Sequence, residues 1–556
     1  MEFTANKVEK KLKKLRPTAA PGPDKIWARV AHDLATELSI PLAMVYSKCM
    51  DEGVVPEEWR WANVTPIYKK GSKGLPGNYR PVSLTCILCK VMESVIRDSI
   101  VEHLTSKSLL RQSQHGFMRG KSTVTNLLEY LEELTMAIDR GEDIDVLYLD
   151  FSKAFDKVPI RRLLSKCEGL GIKGKLLGWV EQWLTGRRQR VVLNGKESEW
   201  GPIKSGVVQG SVLGPCLFLI FINDIDQAVD GVGGMLKKFA DDTKWGKKVM
   251  SEEERMAFQQ GIDNLHKWSS EWQMPFNEDK CHVLHVGRTN SRFQYTMGQR
   301  VLESVEQEKD VGVIISENLK PSLQCAKAAQ KANAVLGQLS RGVSYRDKDC
   351  FMSLYITYVR PHLEYAVAAW SPWNQGDKEV LESVQRRAVM MVTNLRGKTY
   401  NQRLKELDMI TLEERRERGD LIQAYKVLTG KEMVTYQTWF QMSTEEVDRR
   451  QRGDMLEMFK IMTGKENVDS SFWFEMNTEE VDRRQTRDSG GVLSVQRKEG
   501  RLELRKNFWS VRVANKWNLL PDMVKLAATV DSFKNGLDNW TERQKKRRDA
   551  AYLGAT

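Results

Sequence analysis

Two adjacent carboxylates, Asp241 and Asp242, lie between short apolar stretches in the segment 236–244, LKKFADDTK. The polar pair is too short to form a loop, so the pattern predicts a strand, a tight turn and a second strand. Neighbouring carboxylates repel each other unless a cation lies between them or the turn holds both in solvent. Taken alone, the pair favours the solvated turn.

A third carboxylate of the same kind lies upstream. Asp150 follows the apolar run Val146–Leu149, which predicts a buried strand that carries Asp150 to the rim of a sheet. Three carboxylates brought together in this way could bind two divalent cations, one activating an attacking oxygen and the other stabilising the leaving one. Mg²⁺ suits such a site because it prefers oxygen ligands and keeps waters and substrate phosphates as further ligands.

Three motifs occur in an order and spacing that carry a family resemblance. They are Asp150 with Phe155, the segment 205–215 (SGVVQGSVLGP), and Phe239–Asp242. Together they resemble the reverse transcriptase of non-LTR (LINE-type) retrotransposons of the jockey and chicken-repeat type, and the resemblance covers essentially the whole chain. It implies an RNA-directed DNA polymerase that extends a primer 3′-hydroxyl with dNTPs on an RNA template.

The resemblance also implies roles for individual residues. Asp150 and Asp241 would bind two Mg²⁺ ions, for which Mn²⁺ is a possible substitute, with Asp242 as a supporting carboxylate and metal ligand. Lys280 matches a lysine that protonates the leaving pyrophosphate, although a turn lysine is ordinarily only solvated. The expected dNTP contacts are Arg80 at the triphosphate, Phe155 as the aromatic that excludes a 2′-hydroxyl, Gln209 and Gly210. The alternatives are a core position for Phe155 and a polar turn for Gln209.

Basic residues in two loops are candidates for nucleic-acid contact. Lys69 ends a predicted strand, and Arg119 and Lys121 lie in the glycine-punctuated segment 114–123 ahead of a predicted helix, Thr125–Ile138. The family match implies template or primer contact for this loop. Surface solvation is the alternative for Lys69, and Ser122 or Thr123 is a candidate N-cap of the helix.

Composition fits a polyanionic partner. Lys and Arg number 86 against 74 Asp and Glu, a formal net charge of +12, which favours nucleic acid without proving it. The chain opens on a lysine-rich helix instead of a signal peptide and has no apolar run long enough to span a membrane. We therefore expect an intracellular protein of nucleus and cytoplasm, with no membrane partner. The eight scattered cysteines predict reduced thiols, and Cys86 and Cys89 suit a core better than a zinc site.

The expected fold is α+β, a right-hand polymerase with fingers, a palm built on an antiparallel sheet and a helical thumb, followed by a mainly helical C-terminal domain. The domains expected are 1–55 as a helical extension, 56–288 as fingers and palm, 289–400 as thumb and connection, and 401–556 as the C-terminal domain. Two further elements expected are a helical stretch over Trp27–Glu52 and a strand over Lys309–Ile315.

A repeat interrupts the C-terminal region. Residues 419–452 recur as 453–486, and both copies contain TEEVDRRQ, at 444–451 and 478–485. Two copies are too few for a solenoid, so this is a local duplication. The expected partners are an RNA template, a DNA primer or target and dNTPs, in a fragment lacking the element's endonuclease. The alternatives are a catalytically idle relic that only binds nucleic acid and an intron maturase. The maturase is less consistent with the sequence of the C-terminal segment.

Overall fold

The computed structural model describes residues 1–434, 441–442, 495–496 and 500–553. It divides the chain into two compact units, Met1–Lys320 and Pro321–Thr556. The second copy of the duplication lies outside the described residues, and the first is described only over 419–434 and 441–442.

The first unit contains eleven α-helices among its described elements: α1 (Ala5–Leu12), α2 (Ala28–Asp33), α3 (Ala35–Glu52), α4 (Ile87–Ser106), α5 (Thr123–Asp139), α6 (Ala154–Lys157), α7 (Ile160–Gly169), α8 (Gly174–Leu184), α9 (Gly214–Ile222), α10 (Gln227–Asp230) and α11 (Glu252–Glu271). The helical stretch expected over Trp27–Glu52 is interrupted. Leu34, at φ −99° and ψ 28°, separates α2 from α3, whereas Pro41 lies inside α3. Ser122 caps α5 in a capping box with Thr125, as the sequence suggested.

The sheet that carries the predicted carboxylates has five strands in the order β12-β9-β3-β8-β7. They are β3 (Ile144–Leu149), β7 (Met235–Phe239), β8 (Asp242–Lys248), β9 (His282–Val286) and β12 (Glu303–Val305). Every residue of β3 is buried, which confirms the buried strand. β3 runs antiparallel to β8 and β9, but β12 runs parallel to β9. The sheet is therefore mixed, and the expectation of an antiparallel sheet is wrong at this edge, where the chain crosses over before β12.

A second sheet lies earlier in the same unit, in the order β2-β1-β4-β5 with β6 paired to β4. Its strands are β1 (Trp61–Tyr68), β2 (Tyr79–Leu84), β4 (Arg188–Leu193), β5 (Lys196–Glu197) and β6 (Gly201–Pro202). The turn between β4 and β5 is Asn194-Gly195, with φ of 50° and 76°. The Asn-Gly sequence favours such a hairpin because both positions accept positive φ.

Two small hairpins complete the first unit. They are β10 (Thr296–Met297) with β11 (Arg300–Val301), and β13 (Gln307–Asp310) with β14 (Val313–Ser316). The single strand expected over Lys309–Ile315 is wrong, because Val311 and Gly312 adopt φ of 37° and 97° and reverse the chain. Apolar periodicity alone did not distinguish one strand from two short ones.

The described part of the second unit is mainly helical. Its helices are α12 (Ser322–Gly342), α13 (Lys348–Leu354), α14 (Arg360–Glu364), α15 (Val367–Trp370), α16 (Gln375–Met390), α17 (Tyr400–Glu406), α18 (Leu412–Leu428), α19 (Glu503–Lys506), α20 (Trp509–Asn518), α21 (Asp522–Lys525) and α22 (Val530–Leu553). A π-helical turn, Tyr355–Val359, joins α13 to α14, and β15 (Gln441–Met442) pairs with β16 (Val495–Gln496). Within the described ranges, no helix has both the length and the apolar character needed to cross a membrane.

Candidate active site

The three predicted carboxylates lie at the same end of two adjacent strands of the mixed sheet. β3 and β8 are neighbours in a register that pairs Leu149 with Thr243. Asp150 directly follows Leu149 and Asp242 directly precedes Thr243, so both lie at the same end of adjacent strands. Phe239 pairs with Asp242, which leaves Ala240 and Asp241 as a two-residue turn. The tight hairpin expected from the sequence is confirmed.

The charges at this edge are poorly compensated. Burial and the nearby Asp150 raise the pKa of Asp241, while Arg80 and Lys69 act in the opposite direction. The Asp242 side chain is exposed as a whole, yet its carboxyl group lines a cleft. Burial of this group, followed by the neighbouring carboxylates Asp241, Asp310 and Asp150, raises its pKa to about 6. A cation placed here would relieve this repulsion.

Lys280 supplies one positive charge. It lies in a 3-10 turn, Glu278–Lys280, directly before β9, and its Nζ is 2.9 Å from Asp150 Oδ2. Over the residues that the structure describes, no three Asp, Glu, His or Cys side chains are grouped closely enough to ligate an ion. The oxygen-only donor set of Asp150, Asp241 and Asp242 fits Mg²⁺ in kind, but these side chains are not gathered around one point.

Lys280, Asp150 and Asp242 share a cleft of about 220 Å³. Its far wall comes from the β13–β14 hairpin, including Asp310, which forms a buried ion pair with Lys244 of β8. Each partner of that pair is 4% exposed in its side chain. The pair fixes the hairpin against the carboxylate edge, and the sequence analysis did not single out either residue.

Phe155, predicted as the aromatic beside the sugar, lies in α6 just after Asp150. Its ring stacks on Phe218 of α9, with centroids 4.6 Å apart and planes 12° from parallel. The exposed ring of Phe117 meets it edge-on, with centroids 6.3 Å apart. Phe155 is half-buried, so one side is held by the core while the ring still reaches the surface. This placement is compatible with both interpretations of the residue.

The segment 205–215 packs against two neighbours. Val207 N donates to Phe155 O at 2.7 Å, and Ser83 N of β2 donates to Gln209 O at 2.8 Å. Gly210 has a φ of 108°, and a Cβ there would lie 2.6 Å from Ser83 O. Glycine is therefore required at this position because a side chain would be strained in conformation and would clash with the backbone.

Glu93 holds the other end of this segment, and the sequence analysis missed it. Its carboxylate is fully buried in α4 and accepts from Val212 N at 2.8 Å, Leu213 N at 3.1 Å and Trp183 Nε1 at 3.2 Å. An acidic residue on the buried face of a largely apolar helix was the available signal. Such a residue needs several donors to be stable.

The basic candidates occupy different environments. Arg80 lies on β2, Lys69 directly follows the paired strand β1, and both side chains are exposed. Arg119 is exposed in the loop before α5. Lys121 donates instead to Gln112 O in the same loop, and burial is the main cause that lowers its pKa to about 8. The hydrogen bond from the Lys121 ammonium stabilises the loop, and any contact of this group with a ligand would be additional.

Comparison with known proteins agrees with the site. Residues 67–316 match the family described as reverse transcriptase (RNA-dependent DNA polymerase). The chain carries a reverse transcriptase domain. The matched range contains all three carboxylates, the whole mixed sheet and every site residue predicted from the sequence, whereas β1 of the second sheet begins before it, at Trp61. Cys86 and Cys89, which lie within it, are buried free thiols, as expected for core residues.

The chain is also similar to proteins of transposons and mobile elements. The probable RNA-directed DNA polymerase from transposon BS of Drosophila melanogaster is 25% identical over 72% of this chain and 46% of its own length. The RNA-directed DNA polymerases from mobile element jockey of D. melanogaster and D. funebris are 26% and 27% identical, each over 66% of this chain and 41% of their own length. The chain therefore spans less than half the length of these relatives.

A solved structure of apo telomerase from Candida tropicalis, truncated from the C-terminal domain, aligns with 51% of this chain and 59% of that chain. The TM-score is 0.34 and the identity 13%. This likeness is too low to define the fold.

Proposed function

We propose that this chain is the RNA-directed DNA polymerase of a non-LTR retrotransposon, extending a primer 3′-hydroxyl with dNTPs on an RNA template. The observation that carries the proposal is the meeting of Asp150, Asp241 and Asp242 at one sheet edge inside the reverse transcriptase domain. Names of relatives from transposon BS and jockey support the same activity. RNA template, DNA primer or target and dNTPs are the proposed partners.

Asp150 and Asp241 would hold two Mg²⁺ ions, with Asp242 in support. When bound, such ions polarise an attacking oxygen and neutralise phosphate charge. The raised pKa values of Asp241 and Asp242 support this assignment, because burial and then the neighbouring carboxylates disfavour the charged forms, which a bound cation would stabilise.

The residues around the carboxylates would have separate roles in nucleotide addition. Arg80 acts electrostatically on Asp241 and would bind the triphosphate, for which a guanidinium fork is suited. Lys69, which acts on the same carboxylate, would contact the nucleic acid. Phe155, held by Phe218, would lie under the sugar and exclude a 2′-hydroxyl. Gln209 and Gly210 would contact the nucleotide from the loop that Ser83 fixes, and Lys280 would deliver a proton to pyrophosphate.

A right-hand arrangement is part of the proposal. The sheet of β1 and β2 would form the fingers, the mixed sheet the palm, and helices beyond it the thumb. The proposed domains are a helical extension over 1–55, the fingers and palm over 56–288, the thumb and connection over 289–400, and a C-terminal domain over 401–556. Arg119 and Lys121 would lie on the nucleic-acid path.

Primer extension on poly(rA) with oligo(dT), dTTP and Mg²⁺ tests the function. We expect extension by the chain and a loss of at least about 10³-fold in Asp241→Asn, since several kcal/mol of charge stabilisation disappear. Asp263→Asn is the matched control, because Asp263 is exposed on α11 and only accepts a bond from Gln259. Retained RNA binding without extension by the unmodified chain would instead support an idle relic.

A further inference from the structure

A short segment extends the mixed sheet beyond β7. Lys238 N donates to Ser113 O at 2.8 Å and His115 N donates to Lys238 O at 2.9 Å, which forms a parallel bridge between Gln114 and Lys238. β7 is the last strand of the sheet. Residues 113–116 therefore bind the outer edge of the hairpin that carries Asp241.

The Gln114 side chain reaches from this segment to the hairpin turn. Its Oε1 accepts from Ala240 N at 3.0 Å and from Gly116 N at 2.8 Å, and its Nε2 lies 3.4 Å from Ala240 O. Gln114 is 2% exposed. One buried amide thus faces both backbone polar groups of the residue next to Asp241.

The backbone conformation of Ala240 depends on a hydrogen-bond partner of this kind. Its φ is 58°, a left-handed conformation that is unfavourable for a residue with a Cβ. Without Gln114 its N–H would also be a buried donor with no acceptor, which is unfavourable as well. The two costs together would favour a rearranged turn.

The approach of the segment is close as well as hydrogen-bonded. A Cβ added at Gly116 would lie 2.3 Å from Ala240 N, well inside the range of allowed contacts. Glycine at 116 and glutamine at 114 are therefore two separate requirements of the same contact.

We infer that Gln114 is a positioning residue for the metal site: through Ala240 it fixes the turn that orients the Asp241 carboxylate. This inference rests on the proposed function for its catalytic consequence, but not for its effect on cation binding. A buried partner that orients a ligand typically contributes tenfold or more to metal affinity.

Three variants of the full chain separate this role from general stability. Gln114→Met keeps the length of the side chain and removes the acceptor. Gln114→Glu keeps an accepting oxygen at the same reach. Gln112→Met is the control, because Gln112 is exposed in the same loop and uses only its backbone carbonyl, towards Lys121.

The primary measurement is Mn²⁺ binding by calorimetry or electron paramagnetic resonance, without nucleic acid. We expect Gln114→Met to raise the Mn²⁺ dissociation constant about tenfold, while Gln114→Glu and Gln112→Met stay at or below the parent value. In primer extension the half-saturating Mg²⁺ concentration should rise in Gln114→Met, with the KM for primer–template unchanged. Equal Mn²⁺ affinity in Gln114→Met and Gln112→Met would overturn the inference.

A second variant covers the case in which Gln114→Met does not fold. Gly116→Ala leaves the Gln114 amide intact and displaces the turn by contact alone, so it should raise the Mn²⁺ dissociation constant in the same direction. An unchanged constant in folded Gly116→Ala would contradict the inference. If the parent chain extends no primer but Gln114→Met still weakens Mn²⁺ binding, the proposed function fails and the positioning role stands.

Discussion

Lys280 Nζ lies 2.9 Å from Asp150 Oδ2, so a cation that binds Asp150 would compete with this ammonium for the carboxylate. The side chains are 57% and 38% exposed, and an exposed pair of this kind is worth only about 0–1 kcal/mol. The ammonium can therefore leave Asp150 at little cost. One residue would then serve as a counter-charge before a divalent ion binds and as a proton donor afterwards.

The first prediction concerns the replacement of Lys280 by methionine. Removing the competing ammonium should strengthen Mn²⁺ binding to the free protein modestly, while primer extension should slow by about 10²-fold or more through loss of the general acid. Calorimetry and single-turnover extension measure the two effects. Weaker Mn²⁺ binding together with slower extension would show that Lys280 supports the carboxylates and does not compete with a cation. Lys267→Met, on α11, is the control.

The second prediction concerns Phe155 as a sugar gate. Phe155→Val should increase the incorporation of UTP relative to dTTP by at least about tenfold, because a hydrogen bond or clash at a single sugar position is worth 1–3 kcal/mol. The ratio of kcat/KM for the two nucleotides is the measurement. Phe117→Val is the control, since Phe117 only meets the edge of Phe155. An unchanged ratio in Phe155→Val would assign the ring to core packing on Phe218.

The third prediction concerns the backbone at Gly210. Gly210→Ala should raise the KM for dTTP and lower stability by about 1–3 kcal/mol, because the new Cβ would be strained at φ 108° and would lie 2.6 Å from Ser83 O. Urea unfolding and steady-state extension report the two effects. Gly178→Ala in α8 has open space around its Cβ and should be neutral or stabilising by up to about 1 kcal/mol. Equal behaviour of the two variants would contradict the prediction.

The fourth prediction concerns pH and His115. Burial is the main cause that lowers the pKa of His115 to about 4, although Glu129 acts in the opposite direction. In the unfolded chain the imidazole titrates near its usual value of about 6.5, so acid favours unfolding. The contribution to stability is complete above about pH 6.5 and is lost as the pH falls towards 4, by up to about 3 kcal/mol.

Urea unfolding at several pH values tests this dependence. His115→Gln should show a shallower loss of stability between pH 6.5 and 4 than the parent chain. His32→Gln is the control, because His32 is partly exposed on α2 and contacts only its neighbour Asp33. Parallel curves for the parent and His115→Gln would rule out His115 as the source of acid sensitivity.

The hairpin that carries Asp241 and the buried strand before Asp150 could be predicted because their signals are local. A short apolar run fixes β3, and a polar pair between apolar residues fixes the turn at Asp241. The same holds for the Asn194-Gly195 hairpin and the capped start of α5. In each case a few neighbouring residues determine the conformation with little contribution from the rest of the chain.

Features that depend on distant partners could not be predicted in this way. Glu93 is defined by backbone donors at Val212 and Leu213, more than a hundred residues away, and Gln114 by Ala240. The break at Leu34 has no helix-breaking residue to mark it. Asp310, directly before the reversal at Val311, forms a buried pair with Lys244, which sequence periodicity does not report.

The segment 113–116 has a consequence beyond the metal site. An uncovered terminal strand presents unpaired N–H and C=O groups to any other extended chain, and proteins that leave such strands open tend to aggregate. Here Ser113 and His115 pair with the backbone groups of Lys238, the fourth of the five residues of β7. In the folded chain, the loop that would meet the nucleic acid therefore also closes this part of the terminal strand to intermolecular strand pairing.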